Sequence, residues 1–239
     1  MTFFGFCGMA RCEPQQKALK LTQLHYFMGP CVVTITRHAI RMDNIGHLKF
    51  SLVAKAPDWT VTVFRADDKT YYSESLKQFE DTGLLTDYLV SRRDRYFKEM
   101  DKYPHSTVLI SGIKATQLLS RTITFVYVPL SQVLNADPQI EAILYSGYKL
   151  TTCGGIPLRL IGTKGKGNIL ETVNEEGVRE TYLDTIKIAP DESKPDFFDA
   201  PEGYKRAKSV REVVAGSKSR VESSEIMDLF HAPKSEHSK

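Results

Sequence analysis

The chain has 239 residues, 41% of them hydrophobic, enough to bury a sizeable core in one large domain with a short tail. Its net charge of +3 is spread over 32 basic and 29 acidic residues, a mixture with no cationic block for nucleic acid or an anionic membrane. No stretch approaches the ~20 apolar residues that span a bilayer, and the four cysteines, Cys7, Cys12, Cys31 and Cys153, lack C-x-x-C spacing, which argues against a zinc site or a disulfide scaffold.

The opening MTFFGFCGMARC is apolar but has neither the basic start nor the full apolar run of a secretory signal, so residues 1–13 read as an apolar segment and a candidate signal remnant. Cys7 and Cys12 follow Phe6 and Arg11, not the small residue of a lipid-attachment box. The two thiols are free or bridged according to the compartment.

Pro14 to Met28 reads as an amphipathic helix with Leu19, Leu21, Leu24 and Phe27 on its apolar side and Gly29-Pro30 as its stop. Cys31 to Met42, rich in β-branched residues, is expected to be one strand, followed by a turn at Asp43-Asn44-Ile45-Gly46. Phe50 to Ala54 is the next strand. In WTVTVFRADDKTYY, Trp59, Val61 and Val63 alternate with Thr60, Thr62 and Phe64, and Ala66-Asp67-Asp68-Lys69 breaks the run before Thr70-Tyr71-Tyr72, which is the pattern of a β-hairpin. Loops this short do not hold crossover helices, so the strands are expected to pair antiparallel.

From Ser73 to Met100 the period changes. Ser75-Leu76-Lys77-Gln78 has the form of a capping box, and Leu84, Leu85, Tyr88, Leu89, Tyr96, Phe97 and Met100 recur at helical spacing, with Arg92, Arg93, Arg95 and Lys98 on a solvated face. Strands are expected again at Thr107 to Ile113 and Thr122 to Val128. Leu130 to Leu134 and Gln139 to Leu144 read as two short helical pieces parted by Pro138, in the role of a lid or crossover. Pro157 to Gly162, Asn168 to Val173 and Val178 to Ile188 follow as strands. After Pro190 the pattern dissolves, with Phe197, Phe198 and Tyr204 as its large anchors, and residues 207–239 read as a polar C-terminal tail, loosely docked at most.

The chemical constellations are sparse. Gly162, Gly165 and Gly167 precede a strand-like run and not a helix, so they read as a hairpin turn rather than a phosphate loop. Asp67-Asp68 and Glu175-Glu176 lie in turns, where backbone preference already explains them. His38 and His47 would have to converge from adjacent strands to hold a metal. Cys153 beside Gly154-Gly155 is the candidate nucleophile, with His38 or His105 as its base, and its bland reading is a small buried residue at a bend. No cofactor motif is read. What remains is apolar and aromatic surface on strands, led by Trp59, Val61, Val63, Phe125 and Tyr127. If helices fill the space over it, the result is an ordinary α+β core; if they do not, the sheet leaves a cavity suited to an acyl chain.

The hairpin pattern Trp-x-x-x-V-F-R-x-D-D-K-x-Y-Y at 59–72, Pro157-Leu158-Arg159, Leu183-Asp184-Thr185-Ile186 and Phe197-Phe198-Asp199-Ala200-Pro201-Glu202-Gly203-Tyr204-Lys205 together resemble the outer-membrane lipoprotein carrier (LolA-like) superfamily. The likeness spans residues 14–206, taken as one domain. It implies an α+β fold with one strongly curved, mainly antiparallel sheet (an open half-barrel) and helices covering the concave face. It also implies a periplasmic or otherwise extracytoplasmic protein that binds or transports a lipid or lipoprotein acyl chain without catalysis. Trp59, Val61, Val63, Phe125 and Tyr127 are the expected lining. The alternatives are a hydrolase built on Cys153 and a signalling module whose charged tail docks on a protein partner.

Overall fold

Gln16–His25 alternates Leu19, Leu21, Gln23 and His25, all buried, with exposed or half-buried Lys20, Thr22 and Leu24, a period of two that makes it a strand, β1. The expected helix at 14–28 is therefore corrected: Leu21, Leu24 and Phe27 fit a helical stripe only if the polar buried partners Gln23 and His25 are overlooked. The computed structural model describes residues 15–84, 102–120, 123–163 and 179–216.

After β1 come β2 (Gly29–Ile35), β3 (Ala39–Asn44), β4 (Ser51–Lys55), β5 (Val61–Arg65) and β6 (Thr70–Glu74), then helix α1 (Leu76–Thr82). The second part holds β7 (His105–Ile110), β8 (Ile113–Leu119), β9 (Ile123–Pro129), α2 (Pro138–Tyr148), β10 (Gly155–Thr163) and β11 (Arg179–Ser193), and the chain closes with β12 (Lys205–Arg206) and α3 (Val210–Ala215).

Among the described residues the protein is mostly strand, with 12 strands in one open sheet of order β12-β6-β5-β4-β3-β2-β1-β11-β10-β9-β8-β7. Sequential neighbours pair antiparallel, as expected from the short loops, and only β12 joins parallel, against β6. The sheet is thus two meanders, β1 to β6 and β7 to β11, joined where β1 pairs with β11 along ten residues of β1.

Two expected strands are each two. Thr36 ends β2 by accepting the His38 amide on its hydroxyl and donating its own amide to the Ala39 carbonyl, a side-chain turn inside a β-branched run. Ser111 and Gly112, both at positive φ, make the two-residue turn that splits 107–113 into β7 and β8. β11 runs past Pro190 because β10 pairs with it only as far as Asp184, so the imide nitrogen of Pro190 sits where one edge has no partner strand. The expected strand at 168–173 and the helical stripe from Leu85 to Met100 lie outside the described residues. The Ser75–Gln78 capping box is present at the start of α1.

In-register pairing carries one apolar row across the sheet: Ile188, Leu21, Val33, Met42, Leu52, Val63 and Tyr72 are successive cross-strand partners, and the five from Leu21 to Val63 are fully buried. Phe79 of α1, Ile140, Ile143 and Tyr148 of α2, and Val213 of α3 belong to the same core. The opposite side of β3 to β6 is polar, with the row Thr34, Arg41, Val53, Thr62 and Ser73. Phe197 and Phe198 fold back toward β3 and β4, where the Arg41 guanidinium lies 4.4 Å from the Phe197 ring centre and donates to the Phe197 carbonyl. Tyr204 meets Phe64 edge to face.

The loosely docked tail is corrected for residues 207–216. Val210, Val213 and Val214 are buried, and α3 packs on β5 and β6. Arg65 ties this end: Nη1 donates to the Val214 and Leu48 carbonyls, while Nε faces Asp67 at 2.7 Å and Asp68 at 3.6 Å. The R-x-D-D stretch of the hairpin is thereby a structural clamp.

Leu52 sits in the middle of the apolar row with nothing solvent-exposed. Leu52→Ala is expected to lower stability by about 2–5 kcal/mol, measured by urea unfolding followed by circular dichroism.

Candidate functional site

Trp59, Val61, Val63, Phe125 and Tyr127 are all buried, Tyr127 the least so at 8% exposure. Phe125 and Tyr127 share a face as expected, their rings stacked 5.5 Å apart. The two groups are not neighbours: β5 and β9 are separated by six other strands in the sheet order, about 34 Å measured along the sheet at ~4.8 Å per strand. Their side chains belong to the packed core.

Beside the apolar row runs a buried polar one, Thr185, Gln23, Cys31 and Asn44, again made of cross-strand partners. Burying an amide is tolerable only when its donors and acceptor are met, and each of these is. Gln23 Nε2 donates to the Pro157 carbonyl and to Thr185 Oγ1, both at 2.9 Å, and Gln23 Oε1 accepts from the Tyr148 hydroxyl. Thr185 Oγ1 passes its own proton to the Leu158 carbonyl at 2.7 Å. Asn44 Nδ2 donates to the Met28 carbonyl at 2.7 Å, and its Oδ1 accepts the Gly46 and Lys49 amides. The chain from Tyr148 through Gln23 to Thr185 therefore fixes the end of α2 to β1, β10 and β11. It coincides with irregular register in the ladder: β1 to β11 shifts at Thr22/Gln23 and β10 to β9 at Pro157/Arg159.

His25 completes the group. Its Nδ1 accepts the backbone amides of Phe27 at 3.2 Å and Met28 at 3.1 Å, which leaves Nε2 to carry the proton and donate to the Tyr148 carbonyl at 3.2 Å. The imidazole stacks on the Tyr148 ring, centroids 5.3 Å apart. Burial, with Cys31 nearby, holds the Tyr148 hydroxyl well above the usual tyrosine range. Burial likewise pushes the Cys31 thiol up to about 11, against a smaller opposing effect of its Asn44 hydrogen bond. Sequence reasoning missed Gln23, His25, Tyr148 and Thr185. The available signal was the two-residue period of 19–25, which puts Gln23 and His25 on the apolar side.

Cys153 is buried at positive φ in the bend after α2, with Thr151 Oγ1 3.7 Å from its sulfur. It also lies near Tyr127, whose hydroxyl is raised by burial first and by Cys153 second. His38 is exposed and bonded through Nδ1 to Asp137 Oδ2 at 2.8 Å, and His105 is exposed on the edge strand β7. A buried thiol in such surroundings is poorly suited to attack a substrate. His47 is exposed beside Gly29 rather than joined with His38. Among the described residues no group of three or more His, Cys, Asp or Glu side chains is placed to hold a metal ion. Gly165 and Gly167 lie outside the described residues, as do Cys7 and Cys12.

An open cleft of about 230 Å³ lies on the polar side of the sheet, floored by Val53 and Thr62 and walled by Lys55, Asp58, Phe198 and Asp199. Lys55 and Asp199 form an ion pair there. The cleft is smaller and more polar than an acyl chain requires.

No protein-family model matches the chain, and no curated protein does. Among solved structures, the fold is similar to an uncharacterized conserved protein from Thermus thermophilus, with a TM-score of 0.41 and 8% identity over 80% of this chain and 89% of that one. Among the described residues no helix is long and apolar enough to cross a membrane.

Tyr148→Phe leaves the Gln23 carbonyl oxygen without its donor and is expected to cost about 1–3 kcal/mol, read by chemical denaturation. A second expectation concerns alkali. A thiol raised from 9.0 to about 11 in the folded protein stabilises it fully below pH 9 and loses that contribution as pH rises toward 11. Urea unfolding at a series of pH values across that window should show the decline in the parent and a smaller one in Cys31→Ala.

Proposed function

We propose that this protein binds an apolar ligand without catalysis, a lipid or a lipoprotein acyl chain, in line with its resemblance to the LolA-like superfamily. In this reading the sheet curves as an open half-barrel, α1, α2 and α3 lie over its concave side, and Trp59, Val61, Val63, Phe125 and Tyr127 contact the guest. The observation that supports it is the continuous apolar row from Ile188 through Leu21, Val33, Met42 and Leu52 to Val63, carried by an open sheet whose remaining cover is short helices. An apolar face that wide matches an acyl chain wherever its cover moves aside.

That face is packed in the described residues, so a guest has to displace part of the cover. Of the helices, α1 is seven residues long with Phe79 as its buried side chain. α2 is tied down by Tyr148 and is buried along most of its length. The reading places the protein outside the cytoplasm, in a periplasm or its equivalent, and assigns the charged chain after residue 216 to a protein partner.

Trp59 is the single tryptophan and reports directly on the proposed lining. Vesicle-free titration with an acyl chain brominated along its length is expected to quench Trp59 fluorescence saturably, and native mass spectrometry after mild purification to show co-purified lipid. Unquenched tryptophan at every chain length, with no lipid in the spectrum, would remove the proposal.

A further inference from the structure

We propose that the turn between β1 and β2 is an acid-released switch, in which a proton taken up by His25 frees the Phe27 and Met28 amides and loosens Met28 at the end of the apolar interior. The inference deepens the ligand-binding reading, for which Met28 would be a plug, but its chemistry stands on the turn alone.

The turn leaves β1 at His25 and starts β2 at Gly29, and these two residues are cross-strand partners. Between them the Phe27 and Met28 amides both end on one atom, His25 Nδ1, at 3.2 and 3.1 Å. Nδ1 receives them only through its lone pair, so the arrangement exists only for the neutral ring. When the proton arrives at Nδ1, the lone pair becomes an N–H bond, and three donors face one another in a site where His25 is 3% exposed and Met28 fully buried. Both amides lose their acceptor, and the new cation lacks solvent.

Nε2 opposes this. It already donates to the Tyr148 carbonyl at the C-terminal end of α2, where a positive ring is favoured. That contact survives protonation, so the released part is the turn and not the helix. Freed of Nδ1, the turn retains Asn44 Nδ2 on the Met28 carbonyl and the Tyr26 amide on the Tyr182 carbonyl, which let it swing without unpairing the strands.

Other titratable groups stand on the elements packed around the ring. Tyr148 from α2 and Cys31 from β2 are both raised and stay neutral through acid. On β11 the residues flanking its partner Leu183 are Tyr182 and Asp184, the latter bonded to Arg159 at 2.7 Å. Lys149 follows Tyr148, and His47, beside Gly29, is exposed and serves as a control.

The test is amide hydrogen exchange by NMR on the full chain between pH 7.5 and pH 4.5, without ligand, corrected for intrinsic rates. The Phe27 and Met28 amides are expected to lose at least about tenfold protection on passing through the histidine range, while the Thr36 and Asn44 amides, bonded to backbone carbonyls, keep theirs. His25→Asn, whose side-chain oxygen accepts without titrating, should abolish the acid loss, and His47→Ala should preserve it. Unchanged Phe27 and Met28 protection in acid, or the same loss in His25→Asn, overturns the switch. Should His25→Asn not fold, the ring signals of the parent decide: His25 must gain its proton together with the loss of the two amides, and a ring that protonates while both stay protected overturns it equally. Because no lipid is present, these outcomes are independent of whether an acyl chain binds.

Discussion

The ladder between β1 and β11 is the constraint on which the molecule depends. Each meander can form from neighbours in sequence, but a meander buries only the face its own strands supply. β1 is the first strand of one and β11 the last of the other, and their pairing over ten residues of β1 makes two small sheets into one. It also brings residues more than 160 positions apart, Gln23 and Thr185, within hydrogen-bond distance. Such a contact has a large loop-closure cost, so what rewards it must be strong and specific. The apolar row supplies the strength, and the buried polar row supplies the specificity, because a two-residue slip would keep Gln23 on the buried face but part its amide from its partners.

The two sides of the β3 to β6 region then have different duties. One side is aliphatic and takes α1, α2 and α3 into its core. The other is polar and half-covered by the returning segment 194–206, which ends as β12 on the edge of β6. Arg41, held by Asp43 and set against Phe197, and Arg65, held by Asp67 and bonded to Val214, fasten the C-terminal segments to opposite sides of the sheet. Guanidinium groups suit this because they bond in a plane and stack on rings at once.

Cys153 is buried away from solvent, and His38 is committed to Asp137. The buried side chains Gln23, Thr185, Asn44 and His25 are satisfied by one another or by backbone groups and hold elements in place.

By itself the sequence determined the strands whose pattern is local. The hairpin at 59–72, the β9 alternation, the capping box at Ser75 and the antiparallel pairing through short loops all follow from period, turn chemistry and connection length, and all stand in the structure. Tertiary structure alone decided the rest. β1 was illegible because Leu21, Leu24 and Phe27 mimic a helical stripe, and only distant partners, Thr185 for Gln23 and Tyr148 for His25, make both sensible when buried. The breaks at Thr36 and at Ser111-Gly112 rest on positive φ and a side-chain hydrogen bond, which residue types favour but do not dictate. The packing of Trp59 and Val63 far along the sheet from Phe125 and Tyr127 depends on strand order, and strand order is set by which long-range ladder buries most, a quantity no local window contains.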